Sequence, residues 1–275
     1  MTVESITFIG GGNMARSLIA GLVRQGVPPA QIHVAEPVAV LREALAADFG
    51  VQTHDNAADA AAQGQTWLLA VKPQVLREVC QSLQALALAQ AQAPLVVSIA
   101  AGITSAQLQR WLGGALPVVR AMPNTPALLG AGVTGLYATP AVDAQQHAQA
   151  ERVLASAGRT VWIEDEALMD SVTAVSGSGP AYVFLLAEAM EAAGIAQGLP
   201  ADAARALTVQ TLLGASRMLD EAGESPAELR RRVTSPNGTT QAAIESFQAD
   251  GFEALVAKAL RAAQQRGREL SAAND

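Results

Sequence analysis

The sequence has 275 residues, of which 50% are hydrophobic, 16% are charged and 4% are aromatic. At about 150 residues per domain, this length favours roughly two domains, and the apolar content excludes a disordered chain. The formal net charge is −7, so the chain lacks the excess of basic residues that is typical of proteins that bind nucleic acids generally.

Membrane insertion and disulfide bonding are also disfavoured by the sequence. The uncharged stretch 79–109 is interrupted by Gln81, Pro94 and other polar or turn residues, so no apolar run approaches the roughly 20 residues of a membrane span. The only cysteine, Cys80, fits a reducing compartment and is expected to be a small buried hydrophobe. The first residues, with Glu4 among them, do not resemble a secretory leader. We therefore expect a cytoplasmic protein without a membrane segment or a bound metal.

Short apolar runs alternate with helical patterns through the first 165 residues. Helices are predicted over residues 13–25, over residues 40–48 and from residue 73 onward. Apolar strands that are each followed by a helix are typical of a parallel sheet covered on both faces. We therefore predict a doubly wound α/β domain over residues 1–164. Its strands are expected at residues 5–9, 32–36, 66–71, 95–100, 117–121, 133–137 and 160–163.

The pattern changes near residue 165, where strand-like runs end and helical patterns follow one another. Glycine and proline residues at 198–200 and 222–226 separate these patterns. An all-helical domain is therefore predicted over residues 165–275. Its helices are expected at residues 168–193, 201–222, 226–233, 239–250 and 252–271.

A glycine-rich turn joins the first strand to the first helix. It matches the pattern G-x-G-x-x-A and comprises Gly10, Gly11, Gly12, Asn13, Met14 and Ala15. Gly10 makes the tight turn, Gly12 lets the backbone approach a diphosphate, and Ala15 lets the helix pack near the strand. The start of the helix then offers free N–H groups to phosphate oxygens. Because a strand precedes the turn and a helix follows it, the pattern favours dinucleotide binding over a purely structural turn.

An acidic residue, Glu36, ends the second predicted strand. In this position a carboxylate can accept hydrogen bonds from the hydroxyls of the adenosine ribose, and it would repel a 2′-phosphate. No basic side chain follows before Arg42. Glu36 alone therefore favours NAD, and the alternative interpretation is a solvated carboxylate at a strand end.

Other strand ends carry candidate cofactor contacts, because open α/β sheets bind ligands at the carboxyl ends of their strands. Lys72 would lie close to the phosphates or the nicotinamide ribose, or it would be a solvated residue at a helix start. Segments 98–102 and 122–126 end strands at the same edge, and two prolines make the second segment a rigid loop. Such a loop could form one wall of a nicotinamide pocket.

Two segments interrupt the helical pattern of the second half. Residues 176–180 place two glycines and a proline inside a helix, which is unfavourable. We interpret this segment as a kink or a close approach to a ligand, with close helix packing as the alternative. Residues 234–240 combine hydroxyl groups with a bare glycine at a helix start, which suits an anion such as a carboxylate. The alternative there is an ordinary N-cap.

Side chains suited to acid–base catalysis are sparse. The three histidines, His33, His54 and His147, are expected to form no cluster, and none is an evident general base. Lys258 is the only lysine of the helical half. The sequence therefore favours a reaction that demands little proton transfer from side chains.

Five segments, taken together, closely resemble pyrroline-5-carboxylate reductases. The resemblance spans nearly the whole chain, and its last two segments are highly specific, whereas the first is shared by many dehydrogenases. The segments are FIGGGNMA at 8–15, AVKP at 70–73, MPNTP at 122–126, VSGSGPAY at 175–182 and SPNGTT at 235–240.

The resemblance implies the reduction of 1-pyrroline-5-carboxylate to L-proline with NADPH or NADH, the last step of proline biosynthesis. It implies an N-terminal Rossmann domain and a helical domain that forms a homodimer, often assembled further into a decamer. A cyclic imine is easily protonated and accepts hydride directly. Such chemistry needs positioned hydroxyl and N–H groups rather than a His–Asp pair.

The resemblance also implies roles for individual residues. Thr240 takes the position of a threonine proposed to hydrogen-bond the ring nitrogen or to assist its protonation, and Glu166 matches an acidic position near the site. Glu36 departs from family members that prefer NADPH, which often carry a small polar residue there, so the cofactor stays open between NADP and NAD. Residues that the resemblance implies in cofactor binding are Gly10, Gly11, Gly12, Asn13, Met14, Asn56, Ala70, Val71, Lys72, Pro73 and Ala100, and the position of Glu36 at its strand end adds that residue to the predicted cofactor site. Residues implied in substrate binding are Ser176, Gly177, Ser178, Gly179, Ser235, Gly238, Thr239 and Thr240.

Two alternatives to this function stay open. One is a related oxidoreductase that acts on another imino or keto acid. The other is a non-catalytic dinucleotide-binding protein, a sensor or scaffold whose helical half only oligomerises. The hydroxyl groups of the two helical segments favour catalysis, because a sensor would not need an anion site.

Overall fold

The computed structural model describes residues 5–274, and an eight-stranded sheet forms the centre of the first part of that range. The strands are β1 (Ile6–Ile9), β2 (Ile32–Ala35), β3 (Gln52–His54), β4 (Thr66–Leu69), β5 (Leu95–Ser98), β6 (Val118–Met122), β7 (Gly132–Ala138) and β8 (Gly158–Trp162). The helices of this part are α1 (Asn13–Arg24), α2 (Ala39–Phe49), α3 (Ala57–Ala61), α4 (Pro73–Ala89), α5 (Ser105–Leu112) and α6 (Ala144–Ala155). Residues 1–4, which include Glu4 and on which the expectation about a leader rests, lie outside the described residues.

The strand order is β3-β2-β1-β4-β5-β6-β7-β8, which confirms the doubly wound, Rossmann-like sheet. Ile9 lies opposite Ala35 on one side and opposite Leu69 on the other, so β1, β2 and β4 end together. The chain moves outward from β1 to β3 and returns to β4 on the other side of β1. The switch in strand order, where such sheets bind ligands, therefore lies beside the end of β1.

The expectation of a parallel sheet is wrong at one edge. Strand β7 runs antiparallel to β6, whereas β8 is parallel to β7. The connection from β6 to β7 contains only the short 3-10 turn Thr125–Leu129, and a parallel crossover needs a much longer connection. The short strand β3 was not predicted, because only three residues form it and none of them is aliphatic.

Apolar side chains fill both faces of the sheet. Phe8 and Leu18 belong to the cluster on one face, and Trp67, Leu76 and Cys80 belong to the cluster on the other. Cys80 is fully buried, as expected, and burial raises the pKa of its thiol to about 12. This thiol therefore has the character of a core residue rather than of a nucleophile.

Helices make up the chain after residue 165, as predicted. A π-helical turn, Thr173–Gly177, separates the first two of them, so the expected single helix over residues 168–193 is interrupted. The helices are α7 (Met169–Val172), α8 (Gly179–Ala196), α9 (Ala201–Glu221), α10 (Pro226–Arg232), α11 (Thr239–Ala249) and α12 (Phe252–Ala273).

The chain forms two compact units by its internal contacts. The first consists of residues up to 178 together with those from 262 onward, and the second consists of residues 179–261. The end of α12 packs within the first unit, where Gln107 Nε2 donates a hydrogen bond to the carbonyl oxygen of Ser271 (2.9 Å). The domain boundary between residues 164 and 165 stays a prediction.

The second unit exposes much of its apolar surface in the single chain. No residue of α8 is buried, and Phe184 and Leu185 are each 66% exposed. Across residues 5–274, none of the helices combines the length and the apolar character that a membrane crossing would require.

Candidate functional site

The glycine turn after β1 packs directly against the end of β4. Gly10 has φ +105°, and a Cβ atom there would lie 2.8 Å from the carbonyl oxygen of Ala70. The Gly10 N–H donates to the carbonyl oxygen of Ala35 (2.9 Å). Because both the backbone angle and the close contact exclude a side chain, only glycine fits this position.

The start of α1 is left without a side-chain cap. Gly12 is the N-cap residue, no side chain caps the helix, and its first turn holds no acidic residue. A Cβ atom built on Gly12 meets no atom of the described residues within 4 Å. The positive end of α1 therefore faces open space, which fits the diphosphate of a dinucleotide.

The carboxylate of Glu36 braces this turn. Its Oε2 accepts a hydrogen bond from the Gly11 N–H (3.2 Å), and its Oε1 accepts one from the Val38 N–H (3.0 Å). Glu36 is only 8% exposed, so the alternative of a solvated carboxylate does not hold. Beside it, the Arg42 guanidinium donates to the carbonyl oxygens of Glu36 and Pro37, each at 2.8 Å. Arg42 is six residues from Glu36 along the chain, and helix α2 carries it back to the strand end.

The remaining predicted cofactor residues follow other strands of the same unit. Lys72 is the exposed N-cap residue of α4, directly before Pro73, and Ala100 is buried just after β5. Asn56 is the N-cap residue of α3, where its Oδ1 accepts from the Asp59 N–H (2.9 Å). Asn56 is exposed and lies just after β3. These residues therefore follow the carboxyl ends of β3, β4 and β5, which are the strand ends where cofactors bind in this fold.

The loop at 122–126 is tied to the π-helical turn. Asn124 is buried, its Nδ2 donates to the carbonyl oxygen of Ser176 (3.2 Å), and its Oδ1 accepts from the Val133 N–H (3.0 Å). A Cβ atom on Gly177 would lie 2.5 Å from Met122 Cε. The structure thus brings together the two segments 122–126 and 176–180, which are more than 40 residues apart in the sequence. Close packing explains Gly177, and the π-helical turn is the predicted kink.

Glu166 forms a partly buried ion pair. Its carboxylate accepts a hydrogen bond from Arg120 NH1 (2.8 Å), and the Arg120 side chain is 9% exposed. Glu166 also accepts from the backbone N–H of Ser105 (2.7 Å) and from its hydroxyl group. Glu166 therefore accepts a hydrogen bond from the first backbone N–H of α5 and holds the chain in place just before α7. Its partners lie far from it in the sequence, so no local sequence pattern predicts these contacts.

The segment at 234–240 ends at the start of α11, in the second unit. Its N-cap residue is Gly238, no side chain caps the helix, and the first turn holds no acidic residue. Asn237 has φ +58°, the only positive φ among the non-glycine residues from 5 to 274. Its backbone N–H donates to Gln241 Oε1 (2.7 Å). The first-turn amides of Thr239 and Thr240 are thus without a side-chain cap, unlike those of an ordinary N-cap.

The expectation that the histidines form no cluster is wrong for one pair. His33 Nδ1 and His54 Nε2 lie 3.2 Å apart, because β2 and β3 are neighbours in the sheet. Burial and the neighbouring His54 lower the pKa of His33. His147 stacks on Trp162 with ring centroids 3.6 Å apart. Among residues 5–274, no group of three or more His, Cys, Asp or Glu side chains could hold a metal ion.

The sheet and its uncapped glycine turn define a dinucleotide-binding protein of the Rossmann class. A family model described as NADP oxidoreductase, coenzyme F420-dependent, matches residues 5–102. A second, described as pyrroline-5-carboxylate reductase dimerisation, matches residues 166–270.

Similarity to individual proteins extends over the whole chain. A pyrroline-5-carboxylate reductase of Pseudomonas aeruginosa is 55% identical, and one of Haemophilus influenzae is 42% identical; each alignment covers 98% of both chains. A solved pyrroline-5-carboxylate reductase of Coxiella burnetii superposes with a TM-score of 0.94 at 40% identity, covering 98% of this chain and 99% of that one. A Plasmodium falciparum pyrroline carboxylate reductase, solved with NADP bound, superposes with a TM-score of 0.85 at 25% identity and the same coverage. The chain belongs to the pyrroline-5-carboxylate reductase family.

Proposed function

We propose that this protein reduces 1-pyrroline-5-carboxylate to L-proline with a hydride from NADPH or NADH, as the last step of proline biosynthesis. The observation that carries the proposal is 55% identity to the Pseudomonas aeruginosa reductase over 98% of both chains. The uncapped glycine turn agrees with it, because the α1 N-terminus offers a diphosphate both free amides and a positive helix end.

The cofactor is held, in this proposal, along the carboxyl ends of the strands. Gly10, Gly11 and Gly12, with Asn13 and Met14, contact the diphosphate. Open space beside Gly12 and the uncapped helix support this placement. When bound, the reduced nicotinamide supplies the hydride for the imine carbon. The other cofactor-binding residues are Glu36, Asn56, Ala70, Val71, Lys72, Pro73 and Ala100.

The substrate carboxylate is anchored at the start of α11. Ser235 contributes a hydroxyl group, and the backbone amides after Gly238, those of Thr239 and Thr240, contribute hydrogen-bond donors. The glycine N-cap and the lack of an acidic residue in the first turn support this assignment. The hydroxyl of Thr240 contacts the ring nitrogen and holds or delivers its proton.

The segment at 176–179 borders the nicotinamide and the substrate ring. Its residues are Ser176, Gly177, Ser178 and Gly179. The hydrogen bond from Asn124 to the carbonyl oxygen of Ser176 supports a fixed position for this segment beside the loop at 122–126. A fixed wall of this kind orients two reactants, which is the principal task when hydride transfer needs no strong acid or base.

The assembly is a homo-oligomer, because residues 166–270 match a dimerisation domain. The exposed apolar side chains of α8 supply a surface for such an interface. We propose a homodimer that assembles further into a decamer and acts in the cytoplasm. The domain boundary between residues 164 and 165 is supported by the start of the matched dimerisation domain at residue 166.

Incubating the purified chain with 1-pyrroline-5-carboxylate and either NADPH or NADH tests the proposal. We expect ultraviolet absorbance of the reduced cofactor to fall and L-proline to form in equal amount. Cofactor binding without turnover would instead support the non-catalytic alternative. Turnover with other cyclic imino or keto acids, but not with this substrate, would support the related oxidoreductase.

A further inference from the structure

The last turns of α12 pack within the first compact unit. That unit includes the residues from 262 onward, whereas the beginning of the helix belongs to the second unit. Gly267 is buried, and a Cβ atom there would lie 2.8 Å from Asp170 Oδ1. Arg77, on α4, donates a hydrogen bond to the carbonyl oxygen of Asn274 (2.7 Å). The end of α12 is therefore fixed against the part of the chain that carries the sheet, although the proposed reaction assigns it no task.

The loop between β5 and α5, residues 99–104, carries a proposed cofactor contact, Ala100. It follows the carboxyl end of β5, where this fold binds cofactors. The sheet and its core hold both flanks of the loop. The Ile99 N–H donates to the carbonyl oxygen of Leu69 (3.2 Å), and Ile103 is fully buried. Ala100 lies between these two anchors, so whatever supports this part of the loop bears on the cofactor site.

The last turn of α12 supports the loop at Gly102. This glycine is buried and has φ +70°. A Cβ atom there would lie 3.1 Å from Leu270 Cβ and 3.5 Å from the backbone nitrogen of Ser271. The backbone angle disfavours a side chain, and the close approach of the helix leaves little space for one. The loop and the helix are thus in direct contact two residues from Ala100.

Gln107, on α5, connects the end of the loop to the end of α12. Its side chain is buried, with the residue 3% exposed. Its Oε1 accepts from the Thr104 N–H (2.8 Å) in the capping box of α5, and its Nε2 donates to the carbonyl oxygen of Ser271 (2.9 Å). Because the backbone N–H requires an acceptor, the amide can have only this orientation. One buried side chain therefore joins two segments that are far apart in the sequence.

We propose that the end of α12, residues 270–274, and Gln107 position the loop 99–104 for binding of the cofactor. The inference rests on the proposed function, which assigns Ala100 to the cofactor site. Gln107 and Leu270 are positioning residues, because they act on the cofactor through the loop. A loop that is already held in its binding conformation loses little freedom when the cofactor binds. Loosening the loop should therefore raise the Kd and the KM for the cofactor and leave kcat at saturating cofactor nearly unchanged.

Gln107→Glu tests this connection at nearly constant shape. A carboxylate still accepts from Thr104, as glutamate does at this position of a capping box, but it cannot donate to Ser271. Because the lost support amounts to the ordering of about one side chain, the Kd values for NADP and NAD should rise about two- to tenfold. Calorimetric titration measures the Kd. Amide hydrogen exchange, followed by mass spectrometry, should become faster at residues 99–104.

Glu269→Gln is the matched control for Gln107→Glu. Glu269 lies in the same turn of α12 as Leu270, and its carboxylate accepts from Gln265 and Arg266 of its own helix. The control should therefore keep the wild-type Kd and the wild-type exchange at residues 99–104.

A shortened chain that ends at Glu269 removes the end of α12 altogether. It should raise the Kd at least as much as Gln107→Glu does, and it provides the same comparison if that variant does not fold. A lower Tm with an unchanged Kd would mean that the end of α12 only stabilises the fold, and it would overturn the proposal. A higher Kd with unchanged exchange at residues 99–104 would refute it as well.

Binding is measured without substrate, so this test is separate from that of the proposed function. A wild-type chain that binds NADP or NAD but does not reduce 1-pyrroline-5-carboxylate would contradict the proposed function and not this inference. A wild-type chain that binds neither cofactor would contradict both.

Discussion

The carboxylate of Glu36 accepts hydrogen bonds from two backbone segments, the glycine turn and its own strand end. A ribose hydroxyl would add a third donor to a group that is already oriented, so little conformational freedom is lost on binding. Arg42 lies at the same strand end and is held there by two carbonyl oxygens. The carboxylate of Glu36 thus favours a ribose hydroxyl, as in NAD, whereas the guanidinium of Arg42 is suited to a 2′-phosphate, as in NADP.

Replacing Glu36 with serine should shift the cofactor preference towards NADPH. The change removes a charge that repels a 2′-phosphate and leaves Arg42 in place. Because hydrogen bonds to charged groups contribute about 1.5–3 kcal/mol, the ratio of the Kd values for NADP and NAD should change by about tenfold or more. Calorimetric titration of both oxidised cofactors measures this ratio. An unchanged ratio would show that Glu36 only braces the turn, and Arg42→Ala should weaken the binding of NADP alone.

Thr240 is the side chain to which we assign contact with the ring nitrogen. Thr240→Ala should lower kcat with little change in Tm, because the residue is not buried in the core and its hydroxyl is not needed to cap α11. Thr240→Ser, which keeps the hydroxyl, should retain most of the activity. Steady-state kinetics and thermal unfolding of the three proteins provide the comparison. A wild-type kcat in Thr240→Ala would show that the hydroxyl of Thr240 does not take part in the reaction.

At the scale of elements, the sequence pattern predicted the positions of strands and helices, because these depend mainly on neighbouring residues. Apolar runs located seven of the eight strands within residues 5–274, and the glycine and proline residues marked the interruption that became a π-helical turn. The direction of β7 depends instead on how the chain returns after Met122, and strand periodicity carries no information about that. The pairing of Glu166 with Arg120 is likewise tertiary, since 46 residues separate the partners.

Substitutions at Gly12 and Gly21, at the start and within α1, should distinguish a loss of cofactor binding from a loss of folding. A side chain at Gly12 meets open space, so Gly12→Val should fold with a nearly unchanged Tm but should block the approach of the diphosphate. A Cβ atom at Gly21 would overlap the carbonyl oxygen of Ser156, so Gly21→Ala should lower Tm or prevent folding. Thermal unfolding with and without NADP measures both effects. A cofactor-induced rise in Tm for Gly12→Val would contradict the assigned phosphate site.

At the scale of the whole molecule, the sequence predicted two kinds of architecture but not the path of the last helix. The apolar positions near the end of the chain predict a helix over residues 252–271, and the structure has α12 at Phe252–Ala273. The beginning of this helix belongs to the second compact unit, and its end belongs to the first. Only contacts such as that of Gln264 Nε2 with Ser171 Oγ (2.6 Å) reveal this, because amphipathic periodicity shows that a face is covered and not by what.

The apolar surface of α8 leads to a prediction about assembly. Phe184 is 66% exposed in the single chain, and no residue of its helix is buried. Phe184→Glu would place a charge inside a subunit interface, which is costly without a partner, so it should yield smaller assemblies and a lower Tm. Leu88→Glu, at a 57% exposed position on α4, is the matched control and should keep the wild-type mass. Light scattering after size-exclusion chromatography measures the mass of each protein. If Phe184→Glu retains the wild-type mass, the side chain of Phe184 does not lie in a subunit interface, and the proposed role of this part of α8 in assembly is wrong.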